Sequence, residues 1–285
     1  MPELPEVETV VRDLRPVLIG RVFLGVSHGE LKLRHAWNPD WNRFIIGSKV
    51  HSIERRAKWI VIDLGAPGTV LVHLGMTGQL TTQPADFPMA DHVHLRFQCD
   101  AGMDLRYRDI RRFGGAEFHA GPNGWKERLK QAGLGPEPWD MKKSDWLAAL
   151  AGSRRPIKSI LLDQRVLVGL GNIYADESLF QACIHPLRLG SSLQPNECGR
   201  LLVSACSVLD RAIASRGSTI RDYVGGSGLR GGYQESLAVY GREGMDCGAC
   251  AGTVVRQVIS GRSAHFCPSC QPIEPGGSGS GHVVP

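Results

Sequence analysis

Two cysteine pairs, Cys247-x2-Cys250 and Cys267-x2-Cys270, stand sixteen residues apart and constrain the chain more tightly than any other feature. Each pair supplies two corners of a tetrahedron, and together they have the four-thiolate spacing of a zinc site. The intervening TVVRQVIS and GRSAHF have the length and branching of two strands, so a metal-pinned hairpin is expected. Four thiolates leave no coordination position open for chemistry, which makes the expected cofactor one structural zinc ion. Cys99, Cys183, Cys198 and Cys206 are scattered, as suits free thiols in a reducing compartment.

Upstream, the pattern changes character twice. Residues 5–18 put Val7, Val10, Val11, Leu14 and Leu18 on one stripe, an amphipathic helix that Pro5 can start. Arg21–Ser27, Lys49–Leu64, Thr69–Leu74, His92–Cys99, Met103–Asp109 and Gly115–His119 read as short strands between Gly, Pro and Asn. That density predicts a β-sandwich or barrel over 1–120, with the first helix packed on it. Residues 121–140 are broken by Gly and Pro and read as a connector.

Helices are expected at Asp145–Ala151, Ile157–Asp163, Ile173–Cys183 and Glu197–Ser215, in a helical domain over 141–224. The middle two, joined by VLVGLGN, have the outline of a DNA-binding helix pair. GLGN lacks the third glycine of a dinucleotide fingerprint and follows no clear strand, which excludes a Rossmann site. GGSGLRGG opens a segment over 225–239 and reads equally as flexible linker or mobile lid. The finger covers 240–271, and 272–285 reads as a disordered tail. The expected fold class is α+β.

With 42% hydrophobic residues in 285, the chain has enough apolar material for real cores. Its net charge of +5 and pI near 8.8 are only mildly basic. Every base after Lys158 is an arginine, whose planar fork suits phosphate, so charge permits a nucleic-acid partner without requiring one. Glu3, Glu6, Glu8 and Asp13 exclude a basic leader, and no apolar run approaches the roughly 18 residues of a membrane span. A cytoplasmic protein without membrane contact is expected.

The opening MPELPEVETV places a proline at position 2. A small second residue favours loss of the initiator methionine, freeing a secondary α-amine with a reference pKa near ~8. Such an amine can attack a sugar carbon or a masked aldehyde and give an iminium, a cationic electron sink. Glu3 follows directly. On these ten residues alone, an ordinary proline after methionine and a helix start at Pro5 explain the run as well.

An N-terminal Pro-Glu, a β-rich first half, a helical region with Lys158 and GLGNIYADES, and a terminal four-cysteine hairpin occur in one chain. In this it resembles the formamidopyrimidine-DNA glycosylases, bifunctional bacterial enzymes that remove oxidised purines from DNA. The matching stretches are MPELPEVETV, RRAKWIVIDL, LVHLGMTGQL, LRYRDIRRFGG, LLDQRVLVGLGNIYADESLFQACIHPLR, VYGREG and GRSAHFCPSC, in the family's order over 1–270. PELPEVET favours this group over the related endonuclease VIII, whose start resembles PEGPE.

The resemblance implies a two-lobed monomer of the bacterial cytoplasm and nucleoid, with double-stranded DNA in its cleft. The first lobe would be the β-sandwich, and the second a helix–two-turns–helix module with the zinc finger. The partner would be DNA holding oxidised purines or abasic sites, and the process base excision repair. Pro2 would displace the damaged base and keep the sugar as a Schiff base, which β,δ-elimination then cuts out. By similarity Glu3 is the proton donor that helps open the sugar, Lys58 serves β-elimination, and Arg262 serves δ-elimination and phosphate contact. Met76, Arg111 and Phe113 match the wedge that fills the hole left by the extruded nucleotide. Without the resemblance they would be a buried Met and Phe beside a surface Arg. Lys158 and Asn172 match phosphate-binding positions, although Asn172 alone could cap the helix beginning at Ile173. The 225–232 loop falls where the family covers the lesion.

Two departures stand out. Ala90 replaces a histidine that usually precedes the Asp91-His92 pair, which would lose one DNA backbone contact or shift it to His92. Ile110 stands where a proline often precedes RRFG, which would loosen that loop. Two other functions stay open here: an endonuclease VIII-like preference for oxidised pyrimidines, and a non-catalytic zinc-containing protein that binds damaged DNA. Plain binding would not require Pro2, Glu3 and Lys58 together.

Overall fold

Helix α1 (Leu4–Leu18) buries the expected stripe, with Val7, Val10, Val11, Leu14 and Leu18 each at most 1% exposed. The structure is a computed structural model that describes residues 2–219 and 224–273. It divides into two compact units, Met1–Gly133 with Ile213–Gln234, and Leu134–Ala212 with Glu235–Pro285.

In the first unit α1 is followed by β1 (Phe23–His28), α2 (Asn42–Ile45), β2 (Ser52–Arg56), β3 (Trp59–Asp63) and β4 (Gly68–His73). Then come β5 (Gly78–Pro84), β6 (Val93–Cys99), β7 (Met103–Asp109), β8 (Gly115–Ala120) and α3 (Gly124–Gln131). The strands form two antiparallel sheets, ordered β1-β6-β7-β5 and β2-β3-β4-β8. One core draws on both sheets and α1, joining Phe23, Phe97 and Leu105 to Ile60, Val72 and Phe118. The helix-covered β-sandwich expected from the sequence is what forms.

Three details differ. Lys49–Leu64, expected as one run, is two strands folded at Ala57-Lys58, with Ala57 in the left-handed region at φ +54°. No glycine or asparagine marks that turn, so the alternating pattern runs through it unbroken. Strand β5 was not expected, because GQLTTQP carries one leucine among polar residues; it lies at the edge of its sheet, paired with β7. Helix α3 falls within the expected connector, and its single buried residue, Leu129, gives no apolar stripe to read.

The second unit holds α4 (Lys143–Ala151), α5 (Ile157–Leu161), α6 (Asn172–Gln181), most of α7 (Pro195–Ala214), β9 (Val255–Ile259) and β10 (Arg262–Phe266). Gln164 staples the turn between α5 and α6: its amide donates to Leu170 O at 2.9 Å, and its carbonyl accepts Gly169 N–H at 2.9 Å. Helix α6 is buried on every face from Ile173 to Phe180, including Asp176, Glu177 and Ser178. Such a helix needs partners for each polar group. Glu177 accepts the N–H groups of Ala238, Val239 and Tyr240, each at 2.9 Å. Among the described residues, no helix is long and apolar enough to cross a membrane. The tail expected at 272–285 lies, from residue 274 on, outside the described residues.

Candidate functional site

Pro2 is buried, and Glu3, the N-cap of α1, is 1% exposed. Glu6 reaches back to accept the Glu3 N–H at 2.8 Å, as in a capping box. Its other oxygen accepts the Ser218 N–H at 2.7 Å. One carboxylate thus fixes the start of α1 and fastens it to the 217–218 segment. Gly217 (φ +74°) permits the approach, since a Cβ there would lie 2.7 Å from Glu6 Oε1.

Lys58 is the second residue of the two-residue turn between the paired Arg56 and Trp59, and it is 9% exposed. Two arginines bolt this hairpin to α1. Arg15 Nε donates to Ile53 O at 2.7 Å, and Arg55 Nε donates to Glu8 at 3.0 Å. Arg55 Nη1 also donates to Ala57 O at 3.2 Å, beside Lys58. Burial pushes the Glu8 carboxyl up, but hydrogen bonds from Arg12 and Arg55 and their charges hold it below its usual range. The Lys58 charge is also felt at His73. There burial foremost, then His35 and Lys58, push the imidazole down to about 3, so its Nδ1 is a neutral acceptor for Gly75 N–H at 3.0 Å. The first unit therefore holds Pro2, Glu3 and Lys58 on elements that α1 cross-links directly.

Met76 sits half-buried in the turn between β4 and β5, while Arg111 and Phe113 are exposed in the turn between β7 and β8. The Arg111 guanidinium carbon lies 4.7 Å from the Phe113 ring centroid. At 43% exposure, Phe113 is no core residue. The two turns meet at Gly75 (φ +61°), where a Cβ would lie 2.5 Å from both Gly114 N and Phe113 C. Ile110 is exposed, and the Arg111 N–H after it is held by Thr77 Oγ1 at 3.0 Å, so the missing proline leaves the turn anchored. His92 is exposed at φ +64°, and its carbonyl accepts the Asp109 N–H at 3.0 Å.

In the second unit the four cysteine Sγ atoms lie within 4.8 Å of one another. Cys250–Cys267 and Cys247–Cys270 are 3.5 and 3.8 Å apart. Four sulfurs about 2.3 Å from a tetrahedral zinc stand roughly 3.8 Å apart, so the cluster fits such an ion. The Gly252 N–H donates to Cys250 Sγ at 3.3 Å and is the largest cause lowering that thiol to about 7, toward the thiolate a metal takes. The hairpin turns at Ser260-Gly261, both at positive φ, which places exposed Arg262 at the start of β10 opposite Ile259.

Lys158, matched above to a phosphate-binding position, has its charge partnered within the protein. It is fully buried on α5, and its ammonium donates to Asp176 at 2.6 Å and to the Ser263 carbonyl. Asp176 also accepts the His265 N–H at 2.9 Å. The charge is neutralised in place, so Lys158 joins α5 and α6 to the hairpin. Asn172 does not cap α6 either; the N-cap is Gly171, and Asn172 is the first helical residue. Its Oδ1 is buried with no hydrogen-bond partner among the described residues.

Sequence reasoning missed the roles of Glu6, Asp109 and Asp176, and for the last two acidic residues inside an ordinary strand and helix carry no spacing signal. Glu6, three residues after Glu3, was the one legible case, as a capping box.

Residues 1–116 match the Formamidopyrimidine-DNA glycosylase N-terminal domain, and residues 134–224 match the Formamidopyrimidine-DNA glycosylase H2TH domain. A Formamidopyrimidine-DNA glycosylase of Laribacter hongkongensis is 45% identical over 273 residues, covering 95% of this chain and 100% of its own. One from Aromatoleum aromaticum is 44% identical over 275 residues, covering 95% and 99%. Among solved structures, a Lactococcus lactis FPG mutant in complex with a Fapy-dG containing DNA matches with TM-score 0.88 at 33% identity, covering 95% of this chain and 100% of that one. The wild-type Lactococcus lactis protein with an oxidized pyrimidine containing DNA matches with TM-score 0.88 at 31% identity and the same coverage. By sequence along its length and by the arrangement of its sandwich, helices and finger, the chain belongs to the formamidopyrimidine-DNA glycosylase family.

Proposed function

We propose that this chain is a bifunctional DNA glycosylase and abasic-site lyase of base excision repair. It excises oxidised purines, formamidopyrimidines and 8-oxoguanine, from duplex DNA and cleaves the resulting abasic site. The observation that carries this function is a buried Pro2-Glu3 pair at the start of an amphipathic helix, in a chain similar along its length to named glycosylases.

The damaged nucleotide leaves the stack, because its anomeric carbon is out of reach inside a duplex. The unprotonated Pro2 nitrogen gives its lone pair to C1′ and loses its own proton. The bond from C1′ to the base breaks, and its electrons leave with the base, which is protonated. Glu3 gives a proton to the ring oxygen as the C1′–O4′ bond opens, leaving an iminium between Pro2 and the opened sugar. The iminium draws electrons from the C2′–H bond, and the 3′ phosphate departs with Lys58 serving the proton transfers. Arg262 serves the second elimination, in which the 5′ phosphate leaves and a one-nucleoside gap remains.

Met76, Arg111 and Phe113 fill the vacated stack, offsetting part of the few kcal/mol of unstacking. His92 and Asn172 contact the DNA backbone, and Lys158 acts through the hairpin it secures. Residues 1–120 form the catalytic domain and 141–224 the helix–two-turns–helix domain, joined by the connector 121–140. Residues 225–239 form the lesion loop and linker, and 240–271 the finger. Cys247, Cys250, Cys267 and Cys270 hold one zinc ion, which when bound supplies rigidity to the hairpin and takes no part in the reaction. The protein acts as a monomer at the nucleoid of a bacterial cytoplasm. Oxidised pyrimidines are a second substrate class, favoured by the solved complex of the Lactococcus lactis relative with such DNA.

Borohydride reduction during reaction with an 8-oxoguanine duplex should leave a stable adduct of protein and DNA. Peptide mapping should place that adduct on the nitrogen of Pro2. An adduct on a lysine instead, or base release with no adduct at all, would assign the nucleophile elsewhere.

A further inference from the structure

Asp109, the last residue of β7, is fully buried, and no step above uses it. Its carboxylate accepts four hydrogen bonds. Oδ1 takes the Thr77 hydroxyl at 2.5 Å and the Arg111 N–H at 3.2 Å, while Oδ2 takes the Gly114 N–H at 2.9 Å and the Tyr107 hydroxyl at 3.1 Å. Three donors belong to the β4–β5 and β7–β8 turns: Thr77 follows Met76, and Arg111 and Gly114 bracket Phe113. Thr77 Oγ1 in turn accepts the Arg111 N–H at 3.0 Å, so the turns also bond to each other beside the carboxylate. The Asp109 main chain is held too, its carbonyl lying 3.0 Å from His94 Nε2.

A desolvated carboxylate is costly unless its lone pairs are used, and four converging donors use them. Such convergence allows one arrangement, because a shift of either turn strips a partner from a buried charge. The backbone contact at Gly75 leaves no slack between the turns either. We propose that Asp109 is a positioning residue for duplex opening, fixing the spacing at which Met76 enters from one turn and Arg111 and Phe113 from the other. It acts without touching DNA. This rests on the assignment of those three side chains to the wedge.

Asp109→Asn tests it, because an amide must set a donor against one of the donors now converging there. Two substrates are compared: an 8-oxoguanine duplex with 2-aminopurine beside the lesion, whose fluorescence reports unstacking, and a single-stranded oligonucleotide with one abasic site, which has nothing to unstack. Asp109→Asn should lose about 100-fold in single-turnover excision from the duplex and slow the fluorescence rise alike, with single-strand cleavage held within about twofold. Thr77→Val, which keeps shape and drops one donor, should lose about tenfold on the duplex alone. Equal losses on both substrates would mark a general structural role and overturn the proposal, as would no loss on either. If Asp109→Asn does not fold, the Thr77→Val ratio decides by the same criterion. Met76→Ala and Phe113→Ala separate the two levels. If they leave the duplex-to-single-strand ratio unchanged, the wedge assignment itself fails. If they lower it while Asp109→Asn and Thr77→Val do not, only the role of Asp109 falls.

Discussion

Arg55 on β2 donates to Glu8 on α1 at 3.0 Å, and the same guanidinium holds the carbonyl of Ala57 next to Lys58. The turn that carries Lys58 is therefore referenced to the helix that Glu3 caps and Pro2 precedes. A partly buried, charge-assisted contact of this kind fixes a distance that a bare two-residue turn would leave to fluctuate.

Arg55→Ala should destabilise the first unit by about 1.5–3 kcal/mol, the range for a hydrogen bond to a charged group. On the role proposed for Lys58, it should also slow strand cleavage more than base release. Alkali-developed and direct incision, measured side by side, give that ratio. Equal slowing of both would leave the arginine as a stabilising contact only.

Glu117 on β8 accepts from His35 at 2.6 Å, His119 at 3.0 Å and Arg128 at 2.9 Å. Burial opposes its charge, yet the bonds from His119, His35 and Arg128 hold its carboxyl well below the ordinary 4.5. A depressed carboxyl stabilises the fold above its unfolded value and ceases to do so as pH falls through the folded one. Glu117→Gln should cost about 1.5–3 kcal/mol at neutral pH, with the deficit shrinking below pH 4.5. Urea titrations at pH 7 and in mild acid check this; a constant gap would place the stabilisation in packing.

Lys158 and Asp176 form a fully buried pair. Removing one partner strands a charge, so Lys158→Met should cost about 3–5 kcal/mol and loosen metal retention by the hairpin. Adding Asp176→Asn should recover part of that cost, although His265 N–H also depends on Asp176. Denaturant midpoints of both variants, with metal content measured alongside, test the coupling. Strictly additive losses would argue against it.

The finger and its arginine should separate in salt titrations. Arg262→Ala should lower the slope of log K against log salt by about 0.9, the loss of one phosphate contact, with metal content unchanged. Cys250→Ser should abolish bound metal and weaken DNA binding further, while the β-rich unit keeps its unfolding transition. Full metal stoichiometry in Cys250→Ser would contradict the four-thiolate site.

The parts most legible in the sequence have a fixed period or spacing. The α1 stripe, most of the sandwich strands and the paired cysteines recur at intervals that geometry imposes. The turn at Ala57-Lys58 was hidden because its left-handed residue is an alanine, which no turn rule anticipates. Strand β5 was hidden because an edge strand needs only one apolar side chain. The fate of Lys158 was illegible for another reason. Its partner Asp176 is 18 residues away and the Ser263 carbonyl 105, so only the folded chain shows that its charge is already spent.

The contact at Gly75 leaves main chain against main chain where the β4–β5 and β7–β8 turns meet. Neither turn can gain or lose a residue without displacing the other. Chimaeras that import a longer or shorter turn from a relative should therefore need both segments transplanted as a set. Point exchanges at Met76 or Phe113 leave that seam intact.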